Sequence, residues 1–134
     1  MLTNIWTINV IDDDHAICET TRRLLQSVGY DVACFSSAEQ FLARIDKSAP
    51  GCALVDICMP GVDGLQLAAR LRREAPHLAI IVTSGCVSEE AVQAATALGA
   101  TVLPKPFLRD KLMNAIVASI KACMEWDGTA RKAI

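Results

Sequence analysis

No run of basic residues longer than the Arg72-Arg73 pair occurs in this chain, and its formal net charge is −2. The positive surface that neutralises nucleic-acid phosphates is missing, so this chain is not expected to read DNA or RNA. Long apolar runs are missing too. Mean hydropathy is +0.33, yet stretches such as Ala79 to Val82 are typical, and none approaches the roughly 20 residues a bilayer span requires. Met1 to Asn9 carries no positive leader or long apolar segment, and Asp12 to Asp14 follow at once. A signal peptide is therefore not expected, and the cytoplasm is the expected compartment.

The six cysteines, at 18, 34, 52, 58, 86 and 123, are separated by 16, 18, 6, 28 and 37 residues, with no C-x-x-C among them. No zinc framework is encoded, and free thiols acting as small buried hydrophobes are expected. Neither G-x-G-x-x-G nor G-x-x-x-x-G-K follows any apolar run, which removes the loop a nucleotide or flavin binder of this kind needs. Internal repeats and low-complexity linkers are absent as well. A chain of 134 residues, 52% hydrophobic and 21% charged, fits one globular domain. The expected domain is 1–134, with a core of about 6–124 and a short tail over 125–134.

What is present is an alternation of short apolar runs with amphipathic stretches. Strands are expected at Thr7 to Ile11, Asp31 to Phe35, Ala53 to Ile57, Leu78 to Thr83 and Thr101 to Leu103. Between them Ile17, Leu24, Leu25 and Val28 recur at helical spacing up to Gly29, a natural C-terminal stop. Ser37-x-x-Gln40 fits a capping box, and Lys47 to Gly51 reads as a polar break. A third helix ends before Pro76. Ser88 with Glu89 and Glu90 opens a fourth, which runs to Gly99. Leu108 to Cys123 patterns a last amphipathic helix, beyond which nothing periodic follows Trp126. Five βα units with short links imply right-handed crossovers and an α/β, doubly wound parallel sheet covered by helices on both faces.

The strand ends carry the chemistry. Asp12, Asp13 and Asp14 close the first strand, Asp56 the third, Thr83 and Ser84 the fourth, and Lys105 follows the fifth. In such a sheet these ends face one crevice where strand order reverses. Carboxylates crowded there raise one another's pKa unless a cation neutralises them, and an all-oxygen set suits a hard ion such as Mg²⁺. Mg²⁺ commonly takes one or two carboxylates plus phosphate oxygens, leaving a carboxylate to attack a phosphoryl donor. An acyl phosphate there needs a lysine charge and a hydroxyl donor, types that Lys105, Thr83 and Ser84 supply. Taken alone, Asp12 to Asp14 reads equally well as a helix N-terminal charge cluster; Asp56 and Lys105 turn the reading toward a site.

Four segments, N-V-I-D-D-D-H from 9, L-V-D-I-C-M-P-G-V-D-G from 54, I-I-V-T-S-G from 80 and K-P-F from 105, together resemble receiver domains of response regulators. The likeness runs from Trp6 to Met124 and is greatest to the receivers that precede DNA-binding output domains in nitrogen-fixation regulators. It implies a flavodoxin-like five-stranded sheet of order 2-1-3-4-5 with five helices. It also implies that Asp56 is the phospho-acceptor and shares in the metal site, that Asp13 is a direct Mg²⁺ ligand, that Asp12 is a ligand through water, and that the backbone carbonyl of Cys58 completes the set. Thr83 resembles the hydroxyl that bonds the phosphoryl oxygens and Lys105 the lysine that pairs with them, with Lys105-Pro106 in the cis form. Asp14 is expected to flank the pocket, and Pro60 and Gly64 to shape the loop after Asp56, glycine permitting backbone conformations that other residues resist. The implied partners are a sensor histidine kinase and a second copy of the chain, through the face of the fourth helix, fifth strand and fifth helix. The implied chemistry is self-catalysed phosphoryl transfer rather than turnover of a substrate.

The chain departs from the family pattern in several places. Val102 stands where the family usually has Tyr or Phe, so the ring that swings inward on phosphorylation is missing. Cys58 and Gly85 occupy the two positions thought to govern loss of the phosphoryl group, and neither orients a water well, so a long-lived phosphorylated form is expected. Pro104 is unusual before the lysine and is expected to limit hydrogen bonding at the end of the fifth strand. His15 and His77 read as solvated surface histidines rather than phosphate carriers, and Trp6 and Trp126 as packing residues. Two rivals stand beside this reading. A haloacid-dehalogenase-like phosphotransferase uses the same chemistry, but with a D-x-D nucleophile on the first strand and a cap insertion for which there is no room. A receiver-like module that never accepts phosphate usually lacks one of Asp12, Asp13, Asp56, Thr83 and Lys105, all of which are here. Whether the chain acts alone or belongs to a longer regulator is left open by its sequence.

Overall fold

The computed structural model describes residues 6–57, 64–85 and 88–126, with residues 125 and 126 as backbone only. Its elements follow the expected alternation: β1 (Thr7–Ile11), α1 (His15–Ser27), β2 (Asp31–Phe35), α2 (Ala38–Arg44), β3 (Gly51–Asp56), α3 (Gly64–Glu74), β4 (Leu78–Ser84), α4 (Glu89–Ala97), β5 (Thr101–Pro104) and α5 (Arg109–Trp126). The strands form one parallel sheet in the order β2-β1-β3-β4-β5. Successive side chains on a strand point to opposite faces, and both faces are covered. Ile8, Val10, Cys52, Leu54 and Ile81 pack against α1 and α5 through Leu25, Leu112 and Ile116. Ile11, Ala53, Val55, Ile80 and Val82 pack against α2, α3 and α4 through Phe41, Leu67, Leu71 and Ala95. Every residue of β3 and β4 is buried, as parallel strands between two helical layers must be.

Local signals act where they were read. The Ser37 hydroxyl accepts the Gln40 N–H at 3.1 Å, but the Gln40 side chain returns to the N–H of Ser36 at 2.9 Å, one residue before the box position. Ser88 caps α4 through the Ala91 N–H. Gly29 at φ 100° and Gly99 at φ 77° end α1 and α4, in the left-handed conformation that glycine takes without a Cβ penalty.

Strand boundaries moved where tertiary pairing overrode composition. β3 starts at Gly51 rather than Ala53 and ends at Asp56 rather than Ile57, because Gly51 and Cys52 pair with Thr7 and Ile8 on one side and Leu78 and Ala79 on the other. A side chain at 51 would press on the Thr7 carbonyl at 3.1 Å, so the residue taken for a break is the small one the ladder requires. β5 extends to Pro104, opposite Ser84. It is an edge strand, where proline's missing N–H is tolerated, and bonding resumes at once with the Lys105 N–H donating to the Ser84 carbonyl at 2.8 Å.

Candidate functional site

Strand order reverses at β1, whose neighbours are β2 and β3, so the ends of β1, β3 and β4 meet at the switch point where open α/β sheets bind ligands. Parity then selects the side chains. Asp12 continues the alternation of Ile8 and Val10, Asp56 that of Cys52 and Leu54, and Thr83 that of Ala79 and Ile81, all on the α1/α5 face. Asp56 and Thr83 are also register partners. One carboxylate oxygen from each of Asp12, Asp13 and Asp56 lies within 4.8 Å of the others. Asp12 and Asp56 are buried and Asp13 is exposed, so the cluster is open on one side.

The Lys105 ammonium stands 2.7 Å from Asp12 and 3.4 Å from Asp56. Burial alone would lower its pKa, but the hydrogen bond and charge of Asp12, with the charge of Asp56 behind them, raise it above the ordinary lysine value of 10.5. The amine is therefore held as a cation. Lys105-Pro106 is cis, as the family likeness implies. Three carboxylates facing one ammonium leave an excess of negative charge, and three hard oxygen donors on an open notch fit a divalent ion of the Mg²⁺ type.

Other residues divide more finely than their sequence positions indicate. Asp14 does more than flank the pocket: its carboxylate accepts the N–H groups of Ala16 and Ile17 at 3.0 and 3.3 Å and caps α1. Its own N–H donates to Asp12 Oδ1 at 2.9 Å. The Thr83 hydroxyl is buried and reaches the Val55 carbonyl at 3.5 Å, the long limit of a hydrogen bond, so it is only weakly committed. The Ser84 side chain, fully buried, alternates to the opposite face, while its backbone carbonyl, directed along the sheet toward β5, accepts the Lys105 N–H. Val102 is half-buried against the α2–α4 layer.

Gly64 is needed at its position for a reason other than conformational freedom. Its φ is not positive, but a Cβ there would lie 2.5 Å from both the Asp56 carbonyl oxygen and Ile57 Cα. The start of α3 is packed onto the backbone of the strand end, and only hydrogen fits between. Gly85 is the converse: among the described residues a Cβ there meets nothing within 4 Å. Cys58 and Pro60 lie outside the described residues.

The backbone of Asp12 is fixed by residues that sequence reading did not single out. Its N–H donates to the Phe35 carbonyl at 3.0 Å, and its carbonyl accepts the Cys18 thiol at 3.2 Å. No spacing signals these contacts, because they join three separate elements. His15 is exposed at the first position of α1 beside the acidic cluster, and His77 is exposed at the other end of the sheet near a half-buried Trp6. The side chain of Trp126 lies outside the described residues. Among the described residues no helix is long and apolar enough to cross a membrane.

Comparison with known proteins agrees with this geometry. The family model for the response regulator receiver domain matches residues 8–117. The response regulator protein TodT of Pseudomonas putida is 37% identical over 115 residues, covering 85% of this chain and 51% of the relative. The transcriptional regulatory protein FixJ of Bradyrhizobium diazoefficiens is 35% identical over 115 residues, covering 85% and 56%. The chain thus spans about half the length of these curated relatives. Among solved structures, a CheY-like receiver domain protein from Methanospirillum hungatei superimposes with a TM-score of 0.83 at 27% identity, covering 91% of this chain and 98% of that one. Full-length FixJ from B. japonicum gives 0.79 at 34% identity, covering 90% and 60%. With its fold, its acidic notch and a matched span of most of its length, this chain belongs to the response regulator receiver domain family.

Proposed function

We propose that Asp56 of this receiver domain accepts a phosphoryl group from the phosphohistidine of a sensor kinase, with Mg²⁺ held by Asp12, Asp13, Asp56 and the carbonyl of Cys58. The observation that carries the reading is the meeting of three carboxylates within 4.8 Å under one lysine. When bound, the metal neutralises carboxylate and phosphoryl charge that would otherwise repel. Asp56, at the end of a fully buried strand, is the fixed nucleophile. Lys105 is a preorganised point charge for a phosphoryl oxygen, and Thr83, weakly held by Val55, is a hydroxyl donor free to turn toward it. Ser84 supports the lysine through its carbonyl.

A cavity of about 540 Å³, lined by Ala16, Ile17, Thr20, Pro106 and Phe107, opens beside Lys105. Its apolar rim suits burial against the donor protein. With Gly85 offering no side chain to position a water, the phosphorylated form is long-lived. Output is a population shift between two arrangements of the loops after Asp56 and Thr83, read without an aromatic at Val102. It is passed on by pairing of two copies through α4, β5 and α5. The greater length of the relatives, one of them named a transcriptional regulatory protein, supports a link to an output domain that works on DNA. The whole 134-residue unit acts as one receiver.

The test is incubation with Mg²⁺ and acetyl phosphate, or with beryllium fluoride. Stoichiometric labelling that Asp56→Asn abolishes is the expected result. A labelled Asp56→Asn protein, or an unlabelled parent, overturns the reading.

A further inference from the structure

Beside the acidic notch lies a second cavity of about 220 Å³, whose walls include Asp12, Asp13, Cys18, Cys34, Ser36 and Gln40. Two thiols meet there. Cys34, on β2, is half-buried, and Cys18, on α1, is buried. The Cys34 thiol donates to the Cys18 carbonyl at 3.6 Å, and both thiols border the same cavity. Cys18 in turn donates to the Asp12 carbonyl at 3.2 Å.

We propose that Cys34 and Cys18 form an oxidative modification site, in which a peroxide entering this cavity drives a reversible disulfide that disturbs the Asp12 end of the acidic cluster. The disulfide stands on the thiol geometry alone; its effect on phosphorylation rests on the function proposed above.

The chemistry runs in two steps. The Cys34 sulfur attacks one peroxide oxygen, the O–O bond breaks, and water leaves behind a sulfenic acid. The Cys18 sulfur then attacks the Cys34 sulfur, the S–O bond breaks, and the hydroxyl departs as water with the Cys18 proton. In sum two thiols and one hydrogen peroxide give one disulfide and two waters, the sulfurs losing the two electrons that the peroxide gains.

Position assigns the roles. Cys34 borders the cavity and meets the oxidant. Cys18 is buried and its thiol is turned onto the Asp12 carbonyl, so it meets the oxidised Cys34 sulfur rather than the peroxide. The consequence for the site follows from what holds Asp12. Its N–H is tied to Phe35, next to Cys34, and its carbonyl to the Cys18 thiol. A bond of about 2.05 Å between the sulfurs draws α1 toward the end of β2 and removes the proton that Cys18 donates, leaving a buried carbonyl with one donor fewer.

The test uses the full chain. Graded hydrogen peroxide, alkylation and tryptic digestion should yield a reducible peptide pair joining Cys18 to Cys34, which cleavage at Arg22, Arg23 and Arg44 places on separate fragments. Labelling by acetyl phosphate should fall about threefold or more in that form, well within what displacing a reacting group costs, and dithiothreitol should restore it. Cys34→Ser should lose both effects, while Cys18→Ala should stop at a Cys34 sulfenic acid that dimedone traps. Absence of the linked pair in peroxide-treated protein overturns the proposal, and a linked form labelled as fast as the dithiol protein overturns its coupling to the site. Failure of the reduced protein to label at all overturns the phospho-acceptor reading and leaves the disulfide standing.

Discussion

Lys105 and Asp12, 93 residues apart in the chain, form a 2.7 Å ion pair whose side chains are only 16% and 4% exposed. The same ammonium is 3.4 Å from Asp56. The lysine is thus a counter-charge beside two buried carboxylates, and it stands closer to Asp12 than to Asp56. Under the proposed function a divalent ion would compete with the lysine for Asp12, releasing the ammonium to pair with a phosphoryl oxygen.

Replacing Lys105 by Met is expected to destabilise the protein in chelator by about 3–5 kcal/mol, the penalty for stranding a buried charge. Mg²⁺ should recover most of that loss, and divalent-ion affinity should rise by about tenfold, the worth of one charge-assisted hydrogen bond. Thermal melts with and without Mg²⁺, and a Mg²⁺ titration, read both. A variant as stable as the parent in chelator would show that the lysine is not the compensating charge.

Asp13 and Asp14 are neighbours with separable roles. Asp14→Ala removes the cap of α1 and should cost about 1 kcal/mol of stability while leaving acetyl-phosphate labelling largely intact. Asp13→Ala touches no cap and should abolish Mg²⁺-dependent labelling with little change in melting temperature. Equal effects of the two variants on both measurements would contradict the division.

Gly64→Ala places a methyl group 2.5 Å from the Asp56 carbonyl oxygen, so backbone must shift. We expect a stability loss of about 1–3 kcal/mol, as for other overpacked sites, and labelling slowed by about tenfold or more, since a displaced nucleophile loses alignment. Gly85→Ala, where a Cβ meets none of the described residues, is the control and should leave the melting temperature unchanged.

Alkaline pH should weaken the fold through groups whose pKa values are raised on folding. Burial pushes the Cys52 thiol from 9.0 up to about 12, with Cys123 adding to it. The unfolded thiol therefore sheds its proton first, and stability falls as pH rises from 9 toward 12. The Lys105 pair acts in the same direction: its contribution is complete below the ordinary lysine value of 10.5 and is lost as pH climbs through the raised one. Urea unfolding at pH 7, 9 and 10.5 and constant ionic strength should show a declining midpoint. Cys52→Ala should flatten the part above pH 9.

The sequence by itself determined the sequence of elements and the identity of the chemistry. Apolar runs at 7–11, 31–35 and 78–83 became strands β1, β2 and β4 almost to the residue, and Gly29, Ser37 and Ser88 acted as stop and caps, because these signals depend on a few consecutive residues. Asp12, Asp13, Asp56, Thr83 and Lys105 stood out because carboxylates, a hydroxyl and an amine at strand ends share one edge of any doubly wound sheet. Only the tertiary structure decided what depends on approach from elsewhere. Gly51 joined β3 because β1 and β4 pair with it, and Gly64 proved to matter for space rather than conformation. Asp14 became a cap while Asp12 turned inward, and Cys18 came to rest between Asp12 and Cys34. Local propensity acts along a few residues of chain, whereas packing at fixed strand spacing brings together atoms whose separation in sequence carries no signal.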